Sequence, residues 1–355
     1  MAQINFRVED DLVKRAGGES MKRQVLGLMM VFAVIAARAE EVSKPWLVRE
    51  PNGTFDVDYS VRGRVENGTI AEYLALEPLP KSSVYQEITW IKKPSEKMIA
   101  TISQSNDSYV RLEGMNVDQV PSLSFSFKVT FYKVRVDFSK IGKIYPYVKS
   151  RSEYKVYTRK IHEQGKDASG TLKEWDDLQI PWICQTSRRI LADTNGDTLA
   201  YIRKAYELVS EEFEHYDKDA PGVHPSNLLQ SIESKRGHCG LRHRVFVTLL
   251  RAAGIPARTK NCNRPSGSPH VWAEFYLERY GWVPVNLARK AGDFRRFGMY
   301  DDHCIVWNND SCLDVKSPTE RECRVVQSRG CWYWKTKAQR GKPFFDREIR
   351  GTRMP

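Results

Sequence analysis

The sequence predicts an α+β protein in which a strand-rich N-terminal region precedes a region of mixed structure. Between residues 52 and 138, short runs of alternating apolar and polar residues are separated by Asn-Gly, Pro and Ser clusters, which is typical of strands joined by turns. Residues 197–214 and 241–253 carry apolar side chains at helical spacing. Residues 270–286 form two aromatic and β-branched runs around a glycine-containing turn, which predicts a hairpin.

The composition changes along the chain suggest four segments after the N-terminus. Residues 52–138 are expected to form an N-terminal β domain, and residues 139–190, which are mixed and basic, to lead into the next domain. Residues 191–320 contain the residues with catalytic potential. Residues 321–355 are expected to form a basic C-terminal tail that lies on the surface in solvent.

Cys239 directly precedes the predicted helix 241–253, which Gly254-Ile255-Pro256 would end. The cysteine therefore lies in the first turn, where free backbone N–H groups and the helix dipole favour a thiolate. The cationic Arg242 and the neighbouring His238 are expected to add to this effect. Since the thiolate is the reactive form of cysteine, Cys239 is a candidate nucleophile.

The predicted hairpin supplies two further candidates. If the two runs pair so that facing residue numbers sum to about 556, His270 faces Asn286 on the same side of the sheet. A thiol, an imidazole and an orienting amide are the components of a cysteine acyl-transfer site. Cys239, His270 and Asn286 are therefore the predicted catalytic residues.

This order of motifs resembles the transglutaminase-like superfamily. In that family a cysteine at a helix start is followed by a GIPAR-type turn, an HxWxE strand and a GWxxxD strand. The matching residues are Gly237 and Cys239, then Gly254, Ile255, Pro256, Ala257 and Arg258, then His270, Trp272 and Glu274, and finally Gly281, Trp282, Pro284 and Asn286. The resemblance implies a papain-like, transglutaminase-like catalytic domain preceded by a β-sandwich-like domain, and residues 76–80 are similar to the LPLP turn of such N-terminal domains.

The resemblance also implies a mechanism. Cys239 would attack an amide or ester carbonyl to give a thioester, and His270 would pair with the thiolate and then protonate the leaving group. The backbone N–H of Cys239 would stabilise the oxyanion together with a second donor, for which Tyr201, Tyr216 and Gln230 are candidates. No metal or organic cofactor is required.

Asn286 is a departure from the family pattern, because the family usually has aspartate there. An amide can still hold the imidazole ring, but it stabilises an imidazolium less than a carboxylate does. Three functions therefore stay open: an exported cysteine peptidase or amidase acting on protein or peptide-containing cell-envelope material, a protein-crosslinking transglutaminase, and a catalytically weak binding module. Substrate-contacting walls are expected from the loops at 261–269 and 293–302, neither of which has a recognisable specificity motif.

The N-terminus has the pattern of a secretory signal. Residues 21–39 combine a basic start, an apolar run and an Ala-Arg-Ala end, so cleavage after Ala39 and export to the periplasm or the exterior are expected. The apolar run is too short to be a comfortable membrane span, and Glu40 rather than a cysteine follows the cleavage site, so no stable membrane anchor is expected. Residues 1–20 contain an acidic segment with Glu9, Asp10 and Asp11, which does not fit the signal. This favours Met21 as the natural start and residues 1–20 as a non-native extension, and a genuine short leader is the alternative.

Cysteine usage agrees with export. If Cys239 is the nucleophile, six of the seven cysteines remain, which is compatible with up to three disulfides of undetermined connectivity. Buried free thiols are the alternative. A zinc site is less well supported, because the C-terminal cysteines lack C-x2-C pairs, and His238, Cys239 and His243 do not have a usual ligand spacing.

The chain is basic, with a formal net charge of +12. Positive charge favours anionic partners such as cell-wall polymers or acidic polysaccharide. Nucleic acid is not an expected partner, because no recognition motif is present. The sequence makes no prediction about the oligomeric state.

Overall fold

The computed structural model describes residues 44–66, 70–102, 107–117, 122–216, 221–287, 293–310, 313–316, 322–325, 332–336 and 342–355. The expected signal segment at 21–39 and the expected extension at 1–20 lie outside these residues.

The α-helices within these ranges all belong to the middle of the chain. They are α1 (Ser152–Tyr157), α2 (Pro181–Asp193), α3 (Thr198–Glu212), α4 (Leu228–Ser234) and α5 (Cys239–Ala252). None of the helices in the described part of the chain combines the length and the apolar character that a membrane crossing requires.

The β-strands lie on both sides of the helices in the sequence. They are β1 (Leu47–Glu66), β2 (Ile70–Leu79), β3 (Gln86–Lys92), β4 (Ile99–Ile102), β5 (Asp107–Val117), β6 (Leu123–Val136), β7 (His162–Lys166), β8 (Leu172–Asp176), β9 (Glu214–His215), β10 (Arg236–Gly237), β11 (Ala257–Asn263), β12 (Pro269–Leu277), β13 (Gly281–Val285), β14 (Met299–Tyr300), β15 (Ile305–Asn309), β16 (Leu313–Lys316), β17 (Glu322–Val325), β18 (Trp332–Thr336) and β19 (Lys342–Arg353). The predicted α+β fold class is confirmed.

Two sheets of the N-terminal region share one hydrophobic core. The first has the strand order β14-β6-β1-β19 with β3 also paired to β6, and the second has the order β18-β2-β5-β4. Burial alternates along β6 as expected for a strand with one face toward a core. Large side chains from both sheets meet in that core, among them Tyr59, Tyr73, Phe125, Phe127 and Phe131.

Residues 342–353 of the expected C-terminal tail form an edge strand, and the side chains from Asp346 onward are exposed or half-buried. Strand β19 pairs antiparallel with β1, from Phe55 facing Arg353 to Glu66 facing Lys342. Arg347 of β19 contacts the buried carboxylate of Glu77 with an Nη2–Oε1 distance of 2.8 Å. The high charge suggested a solvated segment, but charged side chains on an edge strand can face solvent or pair inside while the backbone completes the sheet.

The predicted helices are confirmed in the region that follows. α3 matches the amphipathic pattern at 197–214, and α5 follows directly from Cys239. All residues from Gly240 to Arg251 are buried, so α5 is the central helix of this region. Gly254 ends it with a φ of 73°, a left-handed conformation that glycine adopts without strain.

The second region has its own sheet, with the strand order β13-β12-β11-β15. β15 also contributes to the N-terminal core through Ile305 and Trp307. The strand therefore joins the two regions into one packed body.

The hairpin of β12 and β13 forms as predicted, but its register is wrong by two positions. Facing residues sum to 558, since Ala273 faces Val285 and Leu277 faces Gly281. The turn is centred one residue later than expected, with Arg279 in a left-handed conformation at a φ of 71°. A shift of two positions keeps every side chain on the predicted face, so Asn286 still lies on the face that carries His270.

Candidate active site

Cys239 is the first residue of α5 and is partly exposed. His238 caps the helix, because its Nδ1 accepts the backbone N–H of Gly240 at 3.0 Å. Gly237 leaves room for this tight entry, since a Cβ there would lie 3.0 Å from the Ser231 hydroxyl. The local sequence therefore places the thiol at the open end of a buried helix.

The surroundings of Cys239 correct the expectation of a stable thiolate. Burial raises the pKa of the thiol, and the backbone N–H groups of Val271 and Gly240, with the charge of Arg264, oppose this rise without cancelling it. Arg242 does not act as expected, because it is buried and its guanidinium points to the backbone carbonyl of Val209 at 3.5 Å. Cys239 is therefore a thiol near pH 7.

His270 of β12 meets Asn286 at the end of β13, with 3.3 Å between Nε2 and the amide Nδ2. The backbone N–H of Asn286 donates to the carbonyl of Arg296 at 3.1 Å, which fixes the start of the following loop. The N–H group that approaches the Cys239 thiol belongs to Val271, the residue next to His270. The three predicted residues are therefore gathered in one place.

The structure adds a carboxylate that the sequence analysis did not identify. Asp302 Oδ2 lies 3.8 Å from His270 Nε2 and 3.5 Å from Asn286 Nδ2. Its other charged neighbour is Arg296, whose Nη1 lies 3.8 Å away. Both belong to the loop at 293–302 that was expected to form a pocket wall, but no spacing relates Asp302 to His270 in the sequence.

Burial and the nearby charges set the state of His270. Burial lowers the pKa of the imidazole to about 4, Asp302 raises it, and Arg264 and Arg296 lower it. The resting ring is therefore neutral near pH 7. Together with the raised pKa of Cys239, this makes the resting pair a thiol and an uncharged imidazole.

His243 connects the helix to the hairpin. Its Nδ1 lies 2.7 Å from the carbonyl oxygen of Cys239, and its Nε2 accepts the backbone N–H of Leu287 at 2.9 Å. These partners require a neutral ring with the proton on Nδ1. Burial lowers the pKa of His243 far below its ordinary value, which keeps the ring in that state.

The three candidates for a second oxyanion donor have other partners. Tyr201 donates to the Leu249 carbonyl at 2.8 Å, and Tyr216 donates to the Pro225 carbonyl at 3.1 Å. The amide nitrogen of Gln230 donates to the Asp167 carbonyl at 3.2 Å. These bonds hold loops around the helix and do not support a role in the oxyanion site.

The described cysteines are free thiols. Cys184, Cys262 and Cys304 form no disulfide, so the expected pairing is not found among them. Cys262 is buried and donates to the carbonyl of His270 at 3.3 Å, which ties β11 to the site. Cys312 and Cys331 lie outside the described residues, as does the side chain of Cys323.

A separate polar cavity of about 420 Å³ lies at the other end of the same sheet. Its wall includes Arg258 and Lys260 of β11 and Trp282 of β13, but neither Cys239 nor His270. Arg258 is held over the Trp282 ring at 3.8 Å. The cavity is therefore distinct from the thiol site.

The fold and the arrangement of thiol, imidazole and amide define a transglutaminase-like domain. Residues 185–287 match the family model of the Transglutaminase-like superfamily. The matched segment contains Cys239, His270 and Asn286, while Asp302 lies beyond it.

Known proteins resemble the chain mainly in fold. A candidate cysteine protease from Cytophaga hutchinsonii superposes with a TM-score of 0.52 at 8% identity, covering 87% of this chain and 93% of that structure. The periplasmic domain of TgpA from Pseudomonas aeruginosa aligns with a TM-score of 0.34 at 12% identity, over 67% of this chain and 88% of that one, which is too weak to carry an argument.

A curated relative matches only a short stretch. An uncharacterized protein of Haemophilus influenzae is 36% identical over 78 residues, which cover 15% of this chain and 21% of that protein. The chain therefore spans about a fifth of the length of that relative.

Proposed function

We propose that this chain is a cysteine hydrolase that cleaves amide bonds, as a peptidase or an amidase. The observation that carries the proposal is the position of the His270 ring, whose Nε2 meets Asn286 and Asp302 while the neighbouring backbone N–H of Val271 reaches the Cys239 thiol. An imidazole oriented by polar groups beside a nucleophile at a helix start is the arrangement that cysteine acyl transfer requires.

The mechanism starts from a neutral pair. The neutral ring that reacts carries its proton on Nε2, which faces the Asp302 carboxylate, so Nδ1 is free to accept the thiol proton as Sγ attacks the carbonyl carbon. The imidazolium then donates this proton to the leaving amine as the C–N bond breaks and a thioester forms. Water attacks the thioester with His270 as base, releases the acid and restores the thiol.

The oxyanion of each tetrahedral intermediate needs donors at the helix start. The backbone N–H of Cys239 is in the first turn of α5, where the helix supplies no carbonyl partner, and the N–H of Gly240 is already bonded to His238. We assign the Cys239 N–H as one donor of the oxyanion site.

Hydrolysis is favoured over protein crosslinking by the exposure of the site. Cys239 is partly exposed. Water can therefore reach the thioester, whereas a crosslinking enzyme must admit an amine and exclude water. The crosslinking alternative is an outcome of the experiment below.

We further propose an exported protein that acts on protein or peptide-containing cell-envelope material. The secretory pattern at 21–39 and the net charge of +12 support this proposal, because a basic surface attracts anionic polymers of the envelope. Mass spectrometry of the N-terminus of protein from the culture or periplasm should find Glu40 first, and a product that retains Ala2 would contradict both the cleavage and the Met21 start.

The chemical proposal is tested with iodoacetamide and with a substrate screen. Cys239 should be alkylated faster than Cys184 in the same molecule near pH 7, as mapped by peptide mass spectrometry, and His270→Ala should remove the difference. Peptides and peptidoglycan fragments are then incubated with the protein, with and without a labelled amine. Cleavage without amine incorporation supports the hydrolase, while incorporation into protein indicates crosslinking. Alkylation of Cys239 that His270→Ala leaves unchanged would contradict both enzymes and favour the binding module.

A further inference from the structure

We propose that Asp302 is a positioning residue of this site, whose carboxylate accepts a hydrogen bond from the Nε2–H of the His270 imidazolium and so supplies the charge that Asn286 lacks. This inference rests on the proposed cysteine hydrolase function. It assigns a role to a residue outside the segment that matches the superfamily, and it gives the N-terminal sheet a part in the site.

The Asn286 amide turns its NH₂ group toward both Asp302 and His270. Its Nδ2 lies 3.5 Å from Asp302 Oδ2 and 3.3 Å from His270 Nε2, so the NH₂ group is the part of the amide that faces both. An amide NH₂ donates and does not accept. When His270 becomes an imidazolium, its Nε2–H cannot use this group and needs another acceptor.

Asp302 is the acceptor within reach. Its Oδ2 is 3.8 Å from His270 Nε2, a distance that a small side-chain rotation shortens to a hydrogen bond when the ring gains its charge. The side chains of His270 and Asp302 are only 15% and 17% exposed, so solvent screens their attraction weakly. Asn286 then holds the carboxylate in place, and the carboxylate accepts the hydrogen bond from the imidazolium Nε2–H.

The loop that carries Asp302 is anchored by the N-terminal sheet. Tyr300 pairs with Val134 of β6, and its hydroxyl donates to the Cys304 carbonyl at 3.0 Å. On the other side, the Asn52 amide of β1 donates to the Asp301 carbonyl at 2.9 Å, and His303 contacts the Asn52 carbonyl. Asp302 is therefore held from both sides by residues that belong to or contact the first sheet.

The other charged and titratable groups around His270 oppose Asp302. Arg264 and Arg296 lower the pKa of His270, and Cys239 and the neutral His243 ring also lie close, with 6.4 Å between the two imidazole centroids. Arg296 also competes directly, since its Nη1 is 3.8 Å from the same carboxylate oxygen. Removal of Asp302 and removal of Arg296 should therefore have opposite effects on His270.

The test measures the rate of Cys239 alkylation against pH in the full chain, with Asp302→Asn and the matched control Asp301→Asn. Asp301 is a neighbouring carboxylate that also faces Arg296, at 4.0 Å. We expect Asp302→Asn to slow alkylation near pH 7 by about tenfold, because a nearby carboxylate shifts a partner pKa by roughly one pH unit or more. Asp301→Asn should change it by less than about twofold.

Two further variants make the sign of the effect testable. Arg296→Gln should accelerate alkylation, because it frees Asp302 and removes a positive charge near the ring. Asn286→Asp combined with Asp302→Asn should restore most of the rate, because it returns a carboxylate to His270. Near-ultraviolet circular dichroism checks that each variant is folded, and NMR titration of the His270 ring in a Cys239→Ala background measures its pKa without the thiol.

The outcomes separate this inference from the proposed function. If His270→Ala slows alkylation and Asp302→Asn behaves like Asp301→Asn, the role of Asp302 is overturned and the hydrolase stands. If His270→Ala has no effect on alkylation, the proposed function fails. Support requires that Asp302→Asn lowers both the alkylation rate and the NMR pKa of His270, and that the double variant recovers them.

Discussion

Two clusters of charged and polar groups lie on one face of β12, one around His270 and one around Glu274. They differ in how many short hydrogen bonds and ion pairs the central residue makes. His270, Trp272 and Glu274 alternate along the strand, so all three lie on the same face. At one end Glu274 accepts from Tyr85 at 2.6 Å, from Arg258 at 2.7 Å and from Lys260, whose Nζ lies at 3.2 Å. At the other end the polar distances around His270 are longer, at 3.3 and 3.8 Å.

The difference separates an ion cluster whose charges are matched from a cluster whose central imidazole can still change its protonation. Glu274 is 1% exposed and its charge is matched by two cations, so its pKa is lowered by Arg258 and Lys260 although burial raises it. His270 has only weak contacts and a pKa moved by burial to about 4. A group that can still gain or lose a proton is able to take part in chemistry, whereas a saturated ion cluster holds the fold.

Replacement of the nucleophile should produce the largest effect and should leave stability intact. Cys239→Ala removes the attacking sulfur, so we expect hydrolysis of the best substrate from the screen to fall by about 10⁴-fold or more. The free energy of unfolding should change by less than about 1 kcal/mol, because the side chain is small and partly exposed. Cys184→Ala is the matched control, and a Cys239→Ala variant that keeps about a tenth of the activity would contradict the role of this thiol.

Loss of the Glu274 charge should lower the stability of the protein, in contrast to the loss of Cys239, which should lower only activity. Glu274→Gln leaves Arg258 and Lys260 as buried cations without this counter-charge, at 13% and 4% side-chain exposure, so we expect a loss of about 3–5 kcal/mol in the free energy of unfolding. Urea denaturation measures it. Glu174→Gln, at a side chain 63% exposed, is the control and should stay within about 0.5 kcal/mol. A cost of Glu274→Gln equal to that of the control would show that the cluster is not structural.

Acid should destabilise the protein through protonation of His270. The pKa of His270 is about 4 in the folded protein against an ordinary value of 6.5, so the unfolded chain binds more protons between these values. The free energy of unfolding should therefore fall as the pH is lowered from about 6.5 to 4, by on the order of 3 kcal/mol for this one group. Burial of His243 acts in the same direction.

Urea denaturation at several pH values measures this slope. His270→Asn should reduce the slope without removing it, because His243 remains. The exposed His224 provides a control in His224→Gln. An unchanged slope in His270→Asn would contradict the depressed pKa of His270.

Replacement of Trp272, which lies between His270 and Glu274 on β12, should give the smallest effect. The Trp272 ring packs against Tyr85 and Tyr300 at centroid distances of 4.7 and 4.5 Å, and its Nε1 has no hydrogen-bond partner among the described residues. Trp272→Phe therefore loses packing volume but no hydrogen bond, and we expect a cost of about 1–2 kcal/mol. The rate of Cys239 alkylation should change by less than about twofold. A change of about tenfold would contradict a role of the indole in packing alone.

Much of this arrangement could be predicted, because local signals carry it. The helix start at Cys239, its end at Gly254 and the hairpin after His270 each follow from a few neighbouring residues. The register was wrong by two positions, because the conformation of the turn at Arg279 is not visible in the residue pattern. The residue pattern did not predict that the tail pairs with β1, because this pairing depends on residues almost 300 positions away in the chain.

By itself, the sequence determined the class of fold and pointed to three residues that the structure brings together, because spacing, capping and turn chemistry act over short stretches of chain. Only the tertiary structure decided the protonation of these residues and the approach of Asp302 to them. Burial raises the pKa of Cys239 and lowers that of His270, and burial depends on the whole packed body. Asp302 reaches His270 because the loop after β14 is held against the N-terminal sheet, and this proximity has no counterpart in sequence spacing.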